Sequence, residues 1–480
     1  MILALAAVMP AGGCGEPKNS PTPPRQTSAA LKPPAARRKP AAAAPRLTKP
    51  TTVEAPAATS PESASRAEKS NVAAPAPVDE RRVASHGIRQ VQGDRFTLYT
   101  DLPPNEALDR LPDIFALAAP QWRRYFQLDE SEPAGWRVRG CLMKDRQRFL
   151  DAGLLPGDLE FAHAFAQDDC IWWDELETDY YRRHLMLHEG THAFVFHHFG
   201  DCGPAWYMEG LAELLGTHHL SDGVLTLGYF PVSAAEVPLW GRIKLVRDAV
   251  QAGNARSIAK IMSYQADAEL ETLVYAWCWA LCAFLDGHPR YRDRFRQLPG
   301  ELKNADFNRR FLTRMEDDWQ WLHLEWQAFL ANLDFGYDLA RNAIEPRPTE
   351  PLMGASETVA IAADRGWQSS GIQVEAGERY QLTAKGRYQV AKKPKTWWCE
   401  PPGVTLRYYR DRPLGMLLAA IVPDDDNDVA AWRGTAIGAG AELAAEHSGT
   451  LYLRINDAPG ELDDNAGSLQ VRVCTADGGQ

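Results

Sequence analysis

The sequence contains no apolar run approaching the ~18 residues that a membrane-spanning helix requires, so nothing in it points to helical membrane spans. It has no tandem repeat, and none of its 8 cysteines falls at a zinc-ribbon spacing. Positive charge is scarce in the part that looks foldable. Residues 15–85 hold 12 Lys/Arg against 6 Asp/Glu, a balance of +6, so a net charge of −11 leaves −17 for the rest. An acidic body with a tail whose cations are diluted by Pro and Ala argues against a nucleic-acid partner.

Aromatic residues are missing between Gly15 and Ser85, where Pro, Ala, Ser, Thr and Lys dominate. Such a stretch cannot bury enough apolar surface to offset its ordering entropy, so residues 15–85 are expected to form a disordered, extended tether. Ahead of it, the mostly apolar Ile2 to Pro10 runs into Ala11-Gly12-Gly13-Cys14. Residues 1–14 read as a short export signal and resemble a lipoprotein processing site, with Cys14 as the lipidated residue. No Lys or Arg precedes the apolar run, and the alternative is an Ala-rich low-complexity start. Export would place the protein in the periplasm, on the outer membrane or at the cell surface, touching membrane only through the lipid.

What is present is the composition of a soluble globular protein, 45% hydrophobic and 24% charged, in 480 residues. Cores stop growing near ~250 to 300 residues, so two folded domains are expected. The seven cysteines other than Cys14 cannot all pair within one chain. Cys141, Cys170 and Cys202 are candidates for a bridge, whereas Cys278 and Cys282, four apart in an apolar helical run, read as buried thiols. Periodicity predicts strands at Phe96–Thr100 and Trp136–Leu142, and helices at 105–126, 180–199, 208–217, 239–252, 266–285, 290–297 and 317–333. Trp319, Trp321 and Trp326 in the last of these read as packing residues. Prolines 346, 348 and 351 mark 344–352 as a linker, after which short alternating runs punctuated by Gly, Asn, Asp and Pro predict an antiparallel β-sandwich over 353–480.

One pair of segments carries chemistry: His188-Glu189-Gly190-Thr191-His192, then Trp206-Tyr207-Met208-Glu209-Gly210. One helical turn separates the two histidines, so both can grip one metal while Glu189 projects beside it. A hydrolytic zinc takes three protein ligands and keeps one position open. The segment resembles the gluzincin metallopeptidases, whose following helix carries the third ligand in a Trp-x-x-Glu-Gly pattern. The resemblance covers about 90 residues and implies a zincin-like domain over 86–343. By it, His188, His192 and Glu209 bind Zn2+, and Glu189 is the general base toward the metal-activated water. It also offers Tyr275 as an oxyanion partner, although the Tyr-x-x-Gly setting of the family is here Tyr275-Ala276-Trp277-Cys278. The Gly-x-Met-Glu-Asn signature of the aminopeptidases is absent, which disfavours that activity. Glu213, four residues past Glu209, is placed to orient a ligand histidine from behind, or else is a solvated or capping glutamate. His184 is one turn before His188, but three ligands suffice without it. His197, His198, His218 and His219 read as surface or packing residues.

In the C-terminal region, Asn456-Asp457-Ala458-Pro459-Gly460-Glu461 and Asp464-Asn465-Ala466-Gly467-Ser468 resemble the calcium loop of the bacterial galactose-binding lectins of the PA-I type. The resemblance implies Ca2+ on Asp457, Asp464 and Asn465, with Glu461 where the lectins have threonine. The alternative is that Asn, Asp and Gly simply form a β-turn. Trp397 and Trp398 suit sugar stacking or packing equally.

The expected fold is therefore α+β, a mainly helical zincin-like domain with a small N-terminal sheet followed by an antiparallel, galactose-binding-like β-sandwich. The expected function is a tethered zinc metallopeptidase acting on a peptide or protein, with glycan as a possible second partner. The alternative is a non-catalytic cell-surface carbohydrate-binding or scaffold protein that retains the zincin fold.

Overall fold

A computed structural model describes residues 77–129, 135–176, 178–265, 271–423 and 428–476. The expected leader with Cys14, and the tether before residue 77, lie outside the described residues. Helix begins inside the stretch assigned to the tether. Asp79 caps α1 (Glu80–Ser85) by accepting from Arg81 N and Arg82 N, and Val83 is buried. Tyr99 and Arg82 hold this helix against the body, the first donating to Glu80 at 2.8 Å and the second to Asp151 O at 2.7 Å. The aromatic-poor composition concealed a capped turn that one buried valine and these two hydrogen bonds dock on the body.

A five-stranded sheet follows, built from β1 (Arg89–Gln92), β2 (Phe96–Thr100), β3 (Val138–Met143), β4 (Ala164–Gln167) and β5 (Cys170–Asp174). Its order is β1-β2-β3-β5-β4, with β2, β3 and β5 parallel and both edge strands antiparallel. The helix expected over 105–126 is two pieces, α2 (Glu106–Asp109) and α3 (Leu111–Tyr125). Pro112 sits in the first turn of α3, where its missing N–H leaves nothing unpaired; within one longer helix it would remove a bond. Helix α4 (Arg146–Ala152) lies between β3 and β4.

The helical body comprises α5 (Asp179–Phe199), α6 (Ala205–Gly216), α7 (Arg242–Gln251), α8 (Ile258–Met262), α9 (Thr272–Gly287), α10 (Arg292–Phe295), α11 (Phe307–Met315), α12 (Trp319–Asn332) and α13 (Leu339–Asn342). A hairpin of β6 (His218–Ser221) and β7 (Val224–Leu227) leaves α6. One continuous apolar core runs from Phe96 and Trp173 of the sheet through Trp122, Phe194 and Trp206 to Trp279 and Trp326. Among the described residues no helix is long and apolar enough to cross a membrane.

The C-terminal region is a sandwich of two sheets. Strands β8 (Glu350–Pro351), β9 (Glu357–Ala362), β10 (Gln368–Val374) and β11 (Arg379–Lys385) open it. They are followed by β12 (Tyr388–Ala391), β13 (Trp397–Cys399), β14 (Val404–Tyr409), β15 (Arg412–Leu414) and β16 (Leu417–Val422). The last are β17 (Thr435–Ala436), β18 (Gly440–Ala444), β19 (Gly449–Ile455) and β20 (Ser468–Thr475). The sheets run β17-β16-β19-β10-β8 and β18-β11-β20-β9, and alternate residues such as Ile361, Ile372, Leu382, Leu453 and Val471 fill the space between. This is the inside-outside alternation that the sequence displays.

The expected linker is part of the fold. Glu350 and Pro351 pair in parallel with β10. Ile344 is buried, and its N–H donates to Glu325 Oε1 at 2.8 Å. Glu325 also meets His288 Nε2 at 3.1 Å, Arg290 Nη1 at 2.8 Å and the Tyr291 hydroxyl, so this buried carboxylate is fully used. Beyond it, Ala328 of α12, Ile344, Trp367, Leu418, Trp432 and Tyr452 share a core between the helices and the sandwich, with the rings of Trp367 and Trp432 5.9 Å apart.

Candidate metal centre

Helix α5 is fixed at both ends by short-range chemistry. Thr178 caps it through a bond from Tyr181 N at 3.2 Å, and Gly200, at φ 73, closes it in the left-handed conformation that glycine takes freely. Arg182 pairs with Glu175 and Asp179 and ties the first turn to the chain leaving β5. Midway, Gly190 brings α5 onto α3: a Cβ there would fall 2.8 Å from the rings of Phe115 and Trp122. Gly210 does the same for α6 and α9, since its Cβ would fall 2.5 Å from Cys278 O and Cys282 Sγ. The glycine in each motif is thus a point of close helix approach, and the three helices bring His188, His192, Glu209 and Tyr275 to one place.

The donor atoms converge. His188 Nε2 is 3.2 Å from His192 Nε2 and 3.2 Å from Glu209 Oε2, and His192 Nε2 is 3.4 Å from the same oxygen. A tetrahedral ion with ligands at ~2.0 to 2.1 Å has ligand-to-ligand edges of about 3.3 to 3.4 Å, so these three atoms are spaced as three corners of such a shell. Two imidazole nitrogens and one carboxylate oxygen are the donor set that a zinc-like ion takes, and the residues fit a divalent metal.

The charges agree with this arrangement. Burial pushes the Glu209 carboxyl up, but His192 and His188 outweigh it and hold it at about 2. Burial likewise opposes charge on His192, yet Glu209 keeps its pKa well above the ordinary imidazole value. Glu189 is pushed up by burial, against the pull of His188 and His192. Tyr275, with its ring 6.2 Å from that of His188, is raised by burial and then by Glu209, Glu189 and Glu213, so it stays a neutral phenol with a proton to donate.

Behind the centre, Glu213 lies 3.7 Å from His188 Nδ1 and receives Arg242 through two bonds, at 3.1 Å and 2.7 Å. It is buried and not solvated, and burial is overcome by Arg242 and His184 to hold its carboxyl well down. Arg242 and the fully buried His184 were not assigned roles from sequence. His184 had its position one turn before His188 as the only signal, and Arg242, on α7, had none. His218 packs as expected: it stacks on Tyr180 at 4.6 Å, meets Gly216 O at 2.8 Å, and burial lowers its pKa to about 3.

The four residues of the expected calcium loop are only partly gathered. Asp457 accepts from Ala458 N at 2.7 Å and from Asn465 Nδ2 at 2.9 Å, and both residues are buried. Asp464 turns to Lys392 N at 3.0 Å, and Glu461 pairs with Arg407 at 2.7 Å. Among the described residues the groups that could hold a metal are those around His188, and the acidic side chains of this loop do not form one. Pro459 O accepts from Asp338 N and Asn342 Nδ2, and a Cβ on Gly460 would fall 2.3 Å from Gly336 O, so the loop lies against the helical body. Trp398 is 50% exposed and stacks with Arg387, whereas Trp397 is half-buried. The seven described cysteines are free thiols, so the bridge considered among Cys141, Cys170 and Cys202 does not form, and Cys278 and Cys282 are buried as expected.

No family model matches the chain, and no curated protein matches it. Among solved structures, one match is described as "EclA N-terminal domain; PllA-like lectin", at 21% identity over 25% of this chain and 95% of that one, with a TM-score of 0.19. A likeness of this size bears on neither ligand nor activity.

Proposed function

We propose that the protein is a zinc-dependent hydrolase that cleaves peptide bonds in a peptide or protein substrate. The observation that carries this reading is the spacing of His188 Nε2, His192 Nε2 and Glu209 Oε2, with the Glu189 carboxyl in the same buried space. Zinc held there supplies a Lewis acid and a water acidic enough to react near neutral pH. Glu189 takes the proton from the attacking water and returns it to the leaving amine; burial raises its pKa toward the range where both transfers are effective. The Tyr275 hydroxyl donates to the oxygen on which negative charge develops. A metal would take each imidazole through a free lone pair, so binding at His192 would release the proton that Glu209 favours there, and the packing of α5 on α3 excludes bulk water from the rear of the site.

The protein would work outside the cytoplasm, carried by the leader and tether ahead of α1, with Cys14 as the lipid anchor. Calcium on the C-terminal loop would draw on Asp457 and on Asn465, whose Oδ1 is buried without a hydrogen-bond partner.

The test is metal analysis of the purified full chain beside a peptide-hydrolysis screen. We expect one zinc per chain, and Glu189→Gln to keep the zinc while losing activity by about 10²- to 10⁴-fold. A wild type without zinc, or a fully active Glu189→Gln, sinks the reading and leaves the non-catalytic alternative.

A further inference from the structure

Arg242 opens α7, far in sequence from every metal-ligand candidate, yet its guanidinium is buried against Glu213. Nε donates to Glu213 Oε2 at 3.1 Å and Nη2 to Oε1 at 2.7 Å, a two-pronged geometry that fixes the plane of the carboxylate as well as its position. The same carboxylate faces two imidazoles, with Oε1 3.7 Å from His188 Nδ1 and Oε2 3.5 Å from His184 Nε2. His188 Nδ1 is buried and has no hydrogen-bond partner, so Glu213 is the acceptor it looks toward. A neutral imidazole carries its one ring proton on a single nitrogen, and a carboxylate opposite Nδ1 draws the proton there. That leaves the lone pair on Nε2, the nitrogen that faces His192 and Glu209.

His184, His188 and Glu213 also lie close enough together to hold a cation of their own. Two facts weigh against that use. Both Glu213 oxygens are already bonded by Arg242, so a second cation would share the carboxylate with a guanidinium at contact distance, in a site too buried for water to screen the repulsion. His188 would further have to give Nδ1 to one ion and Nε2 to the other. The trio is better suited to supporting one metal than to holding a second.

We propose that Arg242 is a positioning residue for the metal centre: its fork holds Glu213 against His188 Nδ1 and so fixes the tautomer and orientation in which His188 Nε2 meets the metal. The inference rests on the metal reading above. It reaches across the fold, because it makes the placement of α7 a determinant of metal affinity.

The experiment measures zinc affinity and stoichiometry of the full chain by competition with a chromogenic chelator, with the visible spectrum of the cobalt-loaded protein as a second readout. Arg242→Met and Glu213→Gln are each expected to bind zinc about 10- to 100-fold more weakly, with shifted cobalt bands and one ion per chain. Arg242→Lys, which keeps the charge and loses the fork, is expected to fall between them and the wild type. A folded Arg242→Met with unchanged affinity and spectrum overturns the proposal; if that variant does not fold, unchanged values in Arg242→Lys do so. Two ions per chain, one of them lost in His184→Ala, overturn it as well. A wild type that binds no zinc removes this inference together with the metal reading, whereas a zinc-binding wild type with indifferent variants removes this inference alone.

Discussion

Arg454, on β19 of the sandwich, donates from Nη1 to Asn332 Oδ1 on α12 at 3.0 Å, while Nη2 reaches Asp457 O at 2.7 Å. The side chain is 3% exposed, so a full charge crosses the seam between helices and sandwich and is satisfied on both sides. Arg454→Met would leave Asn332 Oδ1 and Asp457 O buried without this donor. It is expected to destabilise the protein by about 2 to 6 kcal/mol, given ~1 to 3 kcal/mol for each abandoned group. Because the two regions share a core, far-UV circular dichroism and tryptophan emission should report one common denaturant transition in the wild type. Two separate wild-type transitions would contradict a shared interior.

Tyr275→Phe removes a single hydroxyl and keeps the ring. If that hydroxyl binds the developing oxyanion, kcat falls by about 10²- to 10³-fold while KM and zinc affinity hold within about twofold. A change confined to KM, or a loss of zinc, would assign the tyrosine to substrate binding or to packing.

Asp457 gives the protein a pH dependence of known sign. Burial pushes its carboxyl from 3.8 up to about 7, against the bonds from Asn465 and Ala458 that favour its charged form. The folded state therefore prefers the protonated acid. The associated stability is complete below pH ~4 and is lost as the pH rises through 7, a loss on the order of 4 kcal/mol for a shift of this size. Denaturation in chelator from pH 4 to 8 should show the wild type declining relative to Asp457→Asn. Calcium added at pH 8 should recover part of the loss in the wild type and none in the variant; an equal response in both counts against a calcium site on the loop.

Gly210→Ala tests the close approach of α6 and α9. The added methyl meets the Cys278 carbonyl, a backbone atom that cannot swing aside, at 2.5 Å. Overpacking of this kind costs about 1 to 3 kcal/mol, and the neighbouring Glu209 should be displaced with it. A lower melting temperature with weaker zinc binding is expected, and an unchanged melting temperature would show that the helices can separate freely.

The parts of this structure that are local in sequence were legible there. Helix α5 shows its period over 180–199, and the resemblance carried by Trp206–Gly210 adds Glu209 on the next helix, so three donors could be named without coordinates. The sandwich strands, such as β20 (Ser468–Thr475) with Leu469, Val471 and Val473 inward, fall within the region where short alternating runs were expected. What escaped was long-range. Arg242 carries no local signal that it will face Glu213, because the bond depends on how α7 packs. The prolines of 344–352 look like a flexible link, yet Ile344 and the Glu350–Pro351 bridge are held by Glu325 and β10, partners that a linear reading cannot supply. The packing of the Asp457 loop was hidden in the same way, since Gly336 and Asn342 claim the turn from more than a hundred residues away.

The paired indoles of Trp367 and Trp432 have a spectroscopic consequence. Their centroids are 5.9 Å apart at an interplanar angle of 60°, close and oblique enough for the two transitions to couple. The pair should contribute a signed couplet to the ultraviolet dichroism, beside those of Trp240–Trp279 and Trp122–Trp136 in the helical body, and the seam's share is the part lost in Trp432→Phe. The junction between helices and sandwich thus carries an optical gauge of its own, readable without a label as the difference between the native chain and that variant.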